Sequence, residues 1–296
     1  MAYEFEWTDR SPHLVGRGIV SRVIHAAVMT NDEPDEASKR AIDAGVELLG
    51  SVSGALVGGL VGGPPGAIGG AVAGPVLTST LKEVARRILS KGERRRVGAA
   101  FGSAVLAVEE LRRAGLTVRQ DGFFEPATDR RAKAEEVVEG VLLAAQREHE
   151  KFKVIHYGYL VANVAFDSGI DLHTANWCLR TGQDLTWTQL VLLRIIGDVE
   201  LTLTLAGEIG RHRPEWSAWT LHEQLSDLGF GRRGLIGAPN KTTPITGLPY
   251  PSGDLSAHRL TNGGILLLKL MWLDRIPQSE VSAVLAGIAA ESEISA

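Results

Sequence analysis

The chain has 296 residues, 44% hydrophobic and 22% charged, close to the averages of soluble globular proteins, which argues against wholesale disorder and against a polytopic membrane protein. A formal net charge of −4 at pH 7 gives no global attraction for nucleic acid, so any such binding would have to come from local basic clusters. The single cysteine excludes an internal disulfide and fits a reducing compartment; Cys178, inside TANWCLR, reads as a packed thiol on a buried helix and not as a nucleophile.

The opening MAYEFEWTDR is acidic and lacks the basic-then-apolar order of a secretory signal, so a cytoplasmic location is expected. Residues 1–43 read as an N-terminal helical arm, with an amphipathic helix over 16–29 that ends before the acidic run Asp32 to Glu36. Residues 44–90 read as a glycine-zipper hairpin. Eleven of the 34 glycines fall between positions 45 and 74, and the 34 residues from Leu48 to Leu81 carry no formal charge. Pro64 and Pro65 divide this run into two helical halves, because a proline lacks the backbone N–H and disfavours helix in the residue before it.

Gly50, Gly54, Gly58, Gly62, Gly66, Gly70 and Gly74 form an unbroken series with a spacing of four. On a helix that spacing makes a smooth groove along which another backbone can approach closely, as in small-xxx-small membrane interfaces. Each interior glycine costs about 1 kcal/mol of helix stability relative to alanine, so tight packing or lipid must compensate. Three placements stay open: regulated membrane association, self-assembly in solution, and a hairpin inside the protein's own core. One half alone is short for a bilayer, since Leu48 to Gly63 spans about 24 Å against about 30 Å of hydrocarbon. Downstream, Lys82, Arg86, Arg87, Lys91, Arg94, Arg95 and Arg96 form a basic stretch that could rest on anionic headgroups or solvate a helix junction.

Residues 91–182 read as a helical domain. Ser90 is a candidate N-cap for a helix in which Val97, Phe101, Ala104, Val108 and Leu111 recur at spacings of three and four up to Gly115. A loop around Asp121 to Phe124 leads to a helix from about Thr128, striped by Val138, Val141, Leu142 and Ala145. Shorter helices are expected over 152–166 and 171–182, broken at Asp167, Ser168 and Gly169.

Residues 183–275 have a different texture. Helical stretches near 186–196, 199–209 and 217–228 precede Gly229 to Ile236, a proline- and glycine-rich loop to Gly253, and then SAHRLTNGGILLLKLMWL. This order, with GLIG and HRLTNGG as two wing strands, resembles a winged helix; Pro244, Pro249 and Pro251 in the wing depart from the pattern. Residues 276–296 complete the chain as a C-terminal helix and tail. The expected fold class is mainly α: a glycine-zipper hairpin, a helical domain and a winged-helix-like module.

Chemical motifs are scarce. There is no GxGxxG and no phosphate-loop lysine. His149-Glu150 and His222-Glu223 begin like a metalloprotease helix, but Lys153 and Ser226 stand where the second histidine would be, and both pairs read as surface residues. His149 and His156, with Glu148 and Glu150 nearby, compose a weak metal set; a solvated helix end is the preferred reading because KFK follows at once. Glu109-Glu110 and Glu135-Glu136 are assigned to solvated helix faces. No catalytic residue, metal or cofactor is expected.

The run from Ala134 to Ile196 (AEEVVEGVLLAAQREHEKFKVIHYGYLVANVAFDSGIDLHTANWCLRTGQDLTWTQLVLLRII) resembles an uncharacterised bacterial helical family distantly similar to the abortive-infection alpha type, in which a glycine-rich segment precedes helices and a leucine-rich C-terminal module. The resemblance implies a role in phage defence and implies no catalytic residue. The expectation is a non-enzymatic effector, self-assembling or recruited to the inner face of the membrane through the zipper, with the C-terminal module docking a protein partner. The alternatives are a soluble oligomeric scaffold and a transcriptional regulator. For the regulator, Arg232, Arg233, Lys241 and Arg259 would touch phosphates from the wing, but LHEQLSDLGF offers Glu223 and Asp227 where a recognition helix needs cations, so nucleic acid is not the expected partner.

Overall fold

A computed structural model describes residues 90–126, 130–198, 216–229, 231–237 and 255–289. The expectations for the N-terminal arm, the zipper glycines Gly50 to Gly74, the basic residues Lys82, Arg86 and Arg87, the helix over 199–209, the proline-rich wing with Lys241 and the final tail lie outside the described residues.

The described architecture is mainly α-helical: eight α-helices and one two-stranded antiparallel ladder. Helix α1, Lys91–Arg113, starts where its local chemistry demands. The Ser90 hydroxyl accepts from the N–H of Glu93 while the Glu93 carboxylate accepts from the N–H of Ser90, a reciprocal capping box. It stops just before Gly115, whose φ of 84° is left-handed. Helix α2, Lys133–Arg147, begins later than the expected Thr128, where the N–H of Ala134 donates to the carbonyl of Phe123. Helix α3, Lys153–Phe166, and α4, Leu172–Asp184, are separated by the expected break, with Asp171 capping α4 through the N–H of Thr174. Helix α5, Trp187–Gly197, opens on a second capping box between Thr186 and Gln189.

Helix α6, Trp216–Leu228, precedes β1, Ile236–Gly237, which pairs antiparallel with β2, Arg259–Leu260, so that Ile236 faces Leu260. Helix α7, Asn262–Leu270, follows β2 directly, and its N-cap Thr261 also donates its hydroxyl to the carbonyl of Gly234. Two 3-10 turns, Leu255–Ala257 and Leu273–Arg275, flank this unit, and α8, Gln278–Ala289, closes the described chain.

One apolar core runs from Ala100 and Val141 through Tyr157, Leu160 and Leu192 to Leu225, Leu270 and Val281, passing position 182 without interruption. Helix α5 lies at its centre, with Leu190, Val191, Leu192, Leu193, Ile195 and Ile196 all buried. A helix apolar on every side belongs inside, which explains its lack of an exposed charged stripe. The closest approach is between α1 and α3 at Gly158: a Cβ there would stand 2.0 Å from the Ser103 hydroxyl and 2.2 Å from the Ala100 carbonyl. Ser103 bridges the two helices by donating to the carbonyls of Ala100 and Ile155. No helix among the described residues is long and apolar enough to cross a membrane.

Candidate functional site

The densest polar cluster joins the end of α2, the start of α3 and the α4–α5 junction. Lys153 is only 2% exposed. Its Nζ lies 2.9 Å from Glu148 Oε2 and 3.5 Å from Glu150 Oε2. It also donates to the carbonyls of Gln183 at 3.0 Å and Leu185 at 2.6 Å. An ammonium has three N–H donors, and Glu148 with these two carbonyls satisfies them. The Tyr157 hydroxyl donates to Glu148 Oε2 at 2.5 Å, the Glu150 N–H donates to Glu148 Oε1 at 2.9 Å, and the Trp187 N–H donates to Glu150 Oε1 at 2.9 Å.

Local structure makes this convergence. Helix α2 ends in an extended residue at Glu148, which turns the carboxylate back towards α3. Lys153 and Tyr157 are four apart, one above the other on the same face of α3. Burial works against the charged form of Glu148, but hydrogen bonds from Tyr157, from the Glu150 N–H and from Lys153 outweigh it and hold the carboxyl below its usual range. Burial and the Glu148 carboxylate both push the Tyr157 hydroxyl upward, so its proton stays in place. The cluster is therefore a buried ion pair tied to two backbone carbonyls. Its contacts fasten three segments together: the end of α2, the start of α3 and the α4–α5 junction.

The reading of this stretch as a solvated helix end is corrected: Glu148, Lys153 and His156 are buried. The carbonyls at the end of α4, about thirty positions downstream, receive the lysine that the sequence assigns to water. His149 and His156 do not converge. The His149 side chain is 91% exposed, whereas His156 Nδ1 lies 2.7 Å from the Met271 carbonyl, with the Tyr159 and Trp187 rings beside it. Glu148, His149 and Glu150 do bring one ligand atom each within 4.8 Å of one another. Lys153 already supplies a cation to both carboxylates.

Two further surface assignments are corrected. His222 is buried, although Glu223 beside it is only half-buried. Glu135 is buried as well, with Oε2 lacking a partner among the described residues, and burial raises its pKa. Glu136 is exposed as expected and accepts from Asn176. Cys178 is fully buried, and burial pushes its thiol up to about 12.

Sequence reasoning missed a second clasp around Arg119. This guanidinium donates to the carbonyls of Val164, Asp167 and Ile170 at 3.2, 2.9 and 2.6 Å, closing the end of α3. Asp121 holds its other edge through two hydrogen bonds of 2.9 and 2.6 Å, and its plane lies 4.0 Å from the centroid of Phe123. The only sequence signal is an arginine two residues before an aspartate, a spacing too common to single out.

The basic residues proposed as ligand contacts divide. Lys91 and Arg94 lie in the first turn of α1, and Arg95 is half-buried. Arg96 is turned inward, donating to the carbonyls of Ala145 and Gln146 at the end of α2, with a shortest distance of 2.6 Å. Arg233 donates to Asp227 Oδ2 at 2.5 Å and to the Asp184 carbonyl, and Arg232 stands 3.7 Å from Asp227 Oδ1. Arg259 donates to the carbonyl of His258. Compared with family models, with curated proteins and with solved structures, the chain matches none of them.

Proposed function

We propose that this chain is a non-enzymatic effector that self-assembles, or associates with the inner face of a membrane, through the glycine zipper, with the cross-tied helical body as its carrier. The observation that carries this reading is the seven-glycine series from Gly50 to Gly74 within 34 uncharged residues. Repeated close backbone approach is what that spacing offers, and its helix-propensity cost calls for a partner surface. The resemblance of Ala134 to Ile196 to the abortive-infection alpha type supplies the setting, a bacterial phage-defence or stress response. The buried lysine and arginine clasps support the carrier role, because their polar atoms are directed at the protein's own carboxylates and carbonyls.

The test is light scattering after size-exclusion chromatography, with and without anionic vesicles, on the parent chain and on Gly58→Leu and Gly62→Leu. Each variant should lose assembly or vesicle binding while its circular dichroism stays helical. A parent that remains monomeric and vesicle-free, or variants that behave like the parent, would remove the reading.

A winged-helix regulator is the second reading, favoured by the β1–β2 pairing between α6 and α7. Asp227 engages both Arg232 and Arg233, which reduces what they could offer to phosphates. The module is therefore assigned to protein docking. A salt-resistant preference for one duplex over random DNA would reverse that assignment.

A further inference from the structure

The segment from Leu273 to Ala289 is fastened to the rest of the molecule by contacts to residues far earlier in the chain. Leu273, Ile276 and Val281 are buried in the main core, and Val284 and Leu285 pack against it. Glu280 accepts from the indole N–H of Trp187 at 2.9 Å. Arg275 donates twice to the Glu110 carboxylate on α1, at 2.8 and 2.7 Å, and its guanidinium lies 3.4 Å from the centroid of the Trp272 ring. Glu110, Trp187 and Trp272 all precede the segment, so a second copy of the chain offers it the same partners.

A single residue joins this segment to α7. Trp272 has φ 46° and ψ 51° and is the only non-glycine residue with positive φ among the described residues. Glycine is the usual residue at this place after a helix, because in the left-handed region a Cβ crowds the following carbonyl. Upstream, α3 pins the chain: Asn163 donates to the Leu270 carbonyl at 2.9 Å, and His156 Nδ1 lies 2.7 Å from the Met271 carbonyl. Downstream, the Ile276 N–H donates to the Leu273 carbonyl within its own 3-10 turn. With both sides held, a change in the segment's direction falls on Trp272 and on the one hydrogen bond from the Arg275 N–H to its carbonyl.

We propose that residues 273–289 exchange between two copies of this chain, with Trp272 as the hinge. In the closed form the segment packs on its own body. In the exchanged pair it makes the same contacts on the partner, and Trp272 leaves the left-handed region. The balance between the two forms is therefore set by the strain relieved at Trp272 against the entropy lost in joining two chains. A short hinge under strain is the condition that invites such exchange. This mode of self-association uses none of the zipper glycines and stands or falls independently of them.

The test coexpresses two full-length chains, one parental and one carrying both Arg275→Lys and Glu110→Gln, and treats the concentrated mixture with a zero-length carbodiimide. An amide between the amine introduced at position 275 and the Glu110 carboxylate can then form only between chains, because the variant chain has no carboxylate at 110. Peptide mass spectrometry should find that amide. Arg275→Lys alone, at high dilution, should form it within one chain, which checks that the two groups are in reach. Absence of the amide from the mixture, or from the diluted control, would overturn the proposal. Placed in both chains, Trp272→Gly and Trp272→Ala each remove the indole and differ by one Cβ, with circular dichroism confirming that both stay folded. Glycine takes φ 46° without strain and alanine does not, so the alanine pair should give a several-fold higher yield of the interchain amide. Equal yields, or a higher yield from the glycine pair, would also overturn it.

Discussion

The two ends of helix α2 bury one glutamate each, and the two behave in opposite ways. Glu135, in the first turn, sits where the helix macrodipole favours a negative charge, yet burial raises its pKa because Oε2 has no partner among the described residues. Glu148, just past the last turn, sits where the macrodipole disfavours a negative charge. Its pKa is nevertheless lowered, because Tyr157, the Glu150 N–H and Lys153 surround the carboxylate. A macrodipole contributes about 0.3–1 kcal/mol at exposed sites, whereas charge-assisted hydrogen bonds contribute about 1.5–3 kcal/mol each. Direct partners decide, and position along the helix does not.

The largest test of this contrast is Lys153→Met, which leaves the Glu148 charge buried without its cation. A stability loss of about 3–5 kcal/mol is expected in chemical denaturation, as for other broken buried pairs. Adding Glu148→Gln should restore a substantial part of it, because the stranded charge is gone. A double-mutant cycle with no coupling would show that the pair is not the fastener described here.

Glu148→Gln alone should cost less, about 2–3 kcal/mol, since the amide still offers an oxygen to Tyr157 or Lys153. Its pH dependence is the sharper readout. The folded pKa of Glu148 lies below the ordinary 4.5, so its contribution is complete above about pH 4.5 and is lost as pH falls through the folded value. The parent should therefore lose stability in acid more steeply than the variant. Parallel acid limbs for the two proteins would contradict the direction assigned to Glu148.

The smallest expected effect has the opposite sign. The folded pKa of Glu135 lies above the ordinary 4.5, so its contribution is complete below about pH 4.5 and is lost as pH rises through the folded value. Glu135→Gln should match the parent in acid and be more stable at pH 7 by up to about 1 kcal/mol. A destabilised variant at neutral pH would mean that the carboxylate has a partner after all.

Much of the fold was legible because the signals are local. Ser90 caps the helix that its position announces, and the periodicity of Val97, Phe101, Ala104, Val108 and Leu111 marks a helix ending beside Gly115. The later start of α2 was less legible, since it depends on the contact of Ala134 with Phe123. The clasps were not legible at all. Lys153 stands in KFK between charged and aromatic neighbours, where water is the default destination for an ammonium, and Arg119 stands in an unremarkable loop.

By itself the sequence determined the helical periods, the Ser90 cap, the break at Asp167 to Gly169 and the zipper's spacing, each of which depends on residues a few positions apart. Only the tertiary structure decided which charges are inside. A long polar side chain can be buried when distant carbonyls and carboxylates converge on it, as Gln183, Leu185 and Glu148 do on Lys153, and as Val164, Asp167 and Ile170 do on Arg119. That convergence comes from how α2, α3 and α4 pack together, and no short window of sequence contains it.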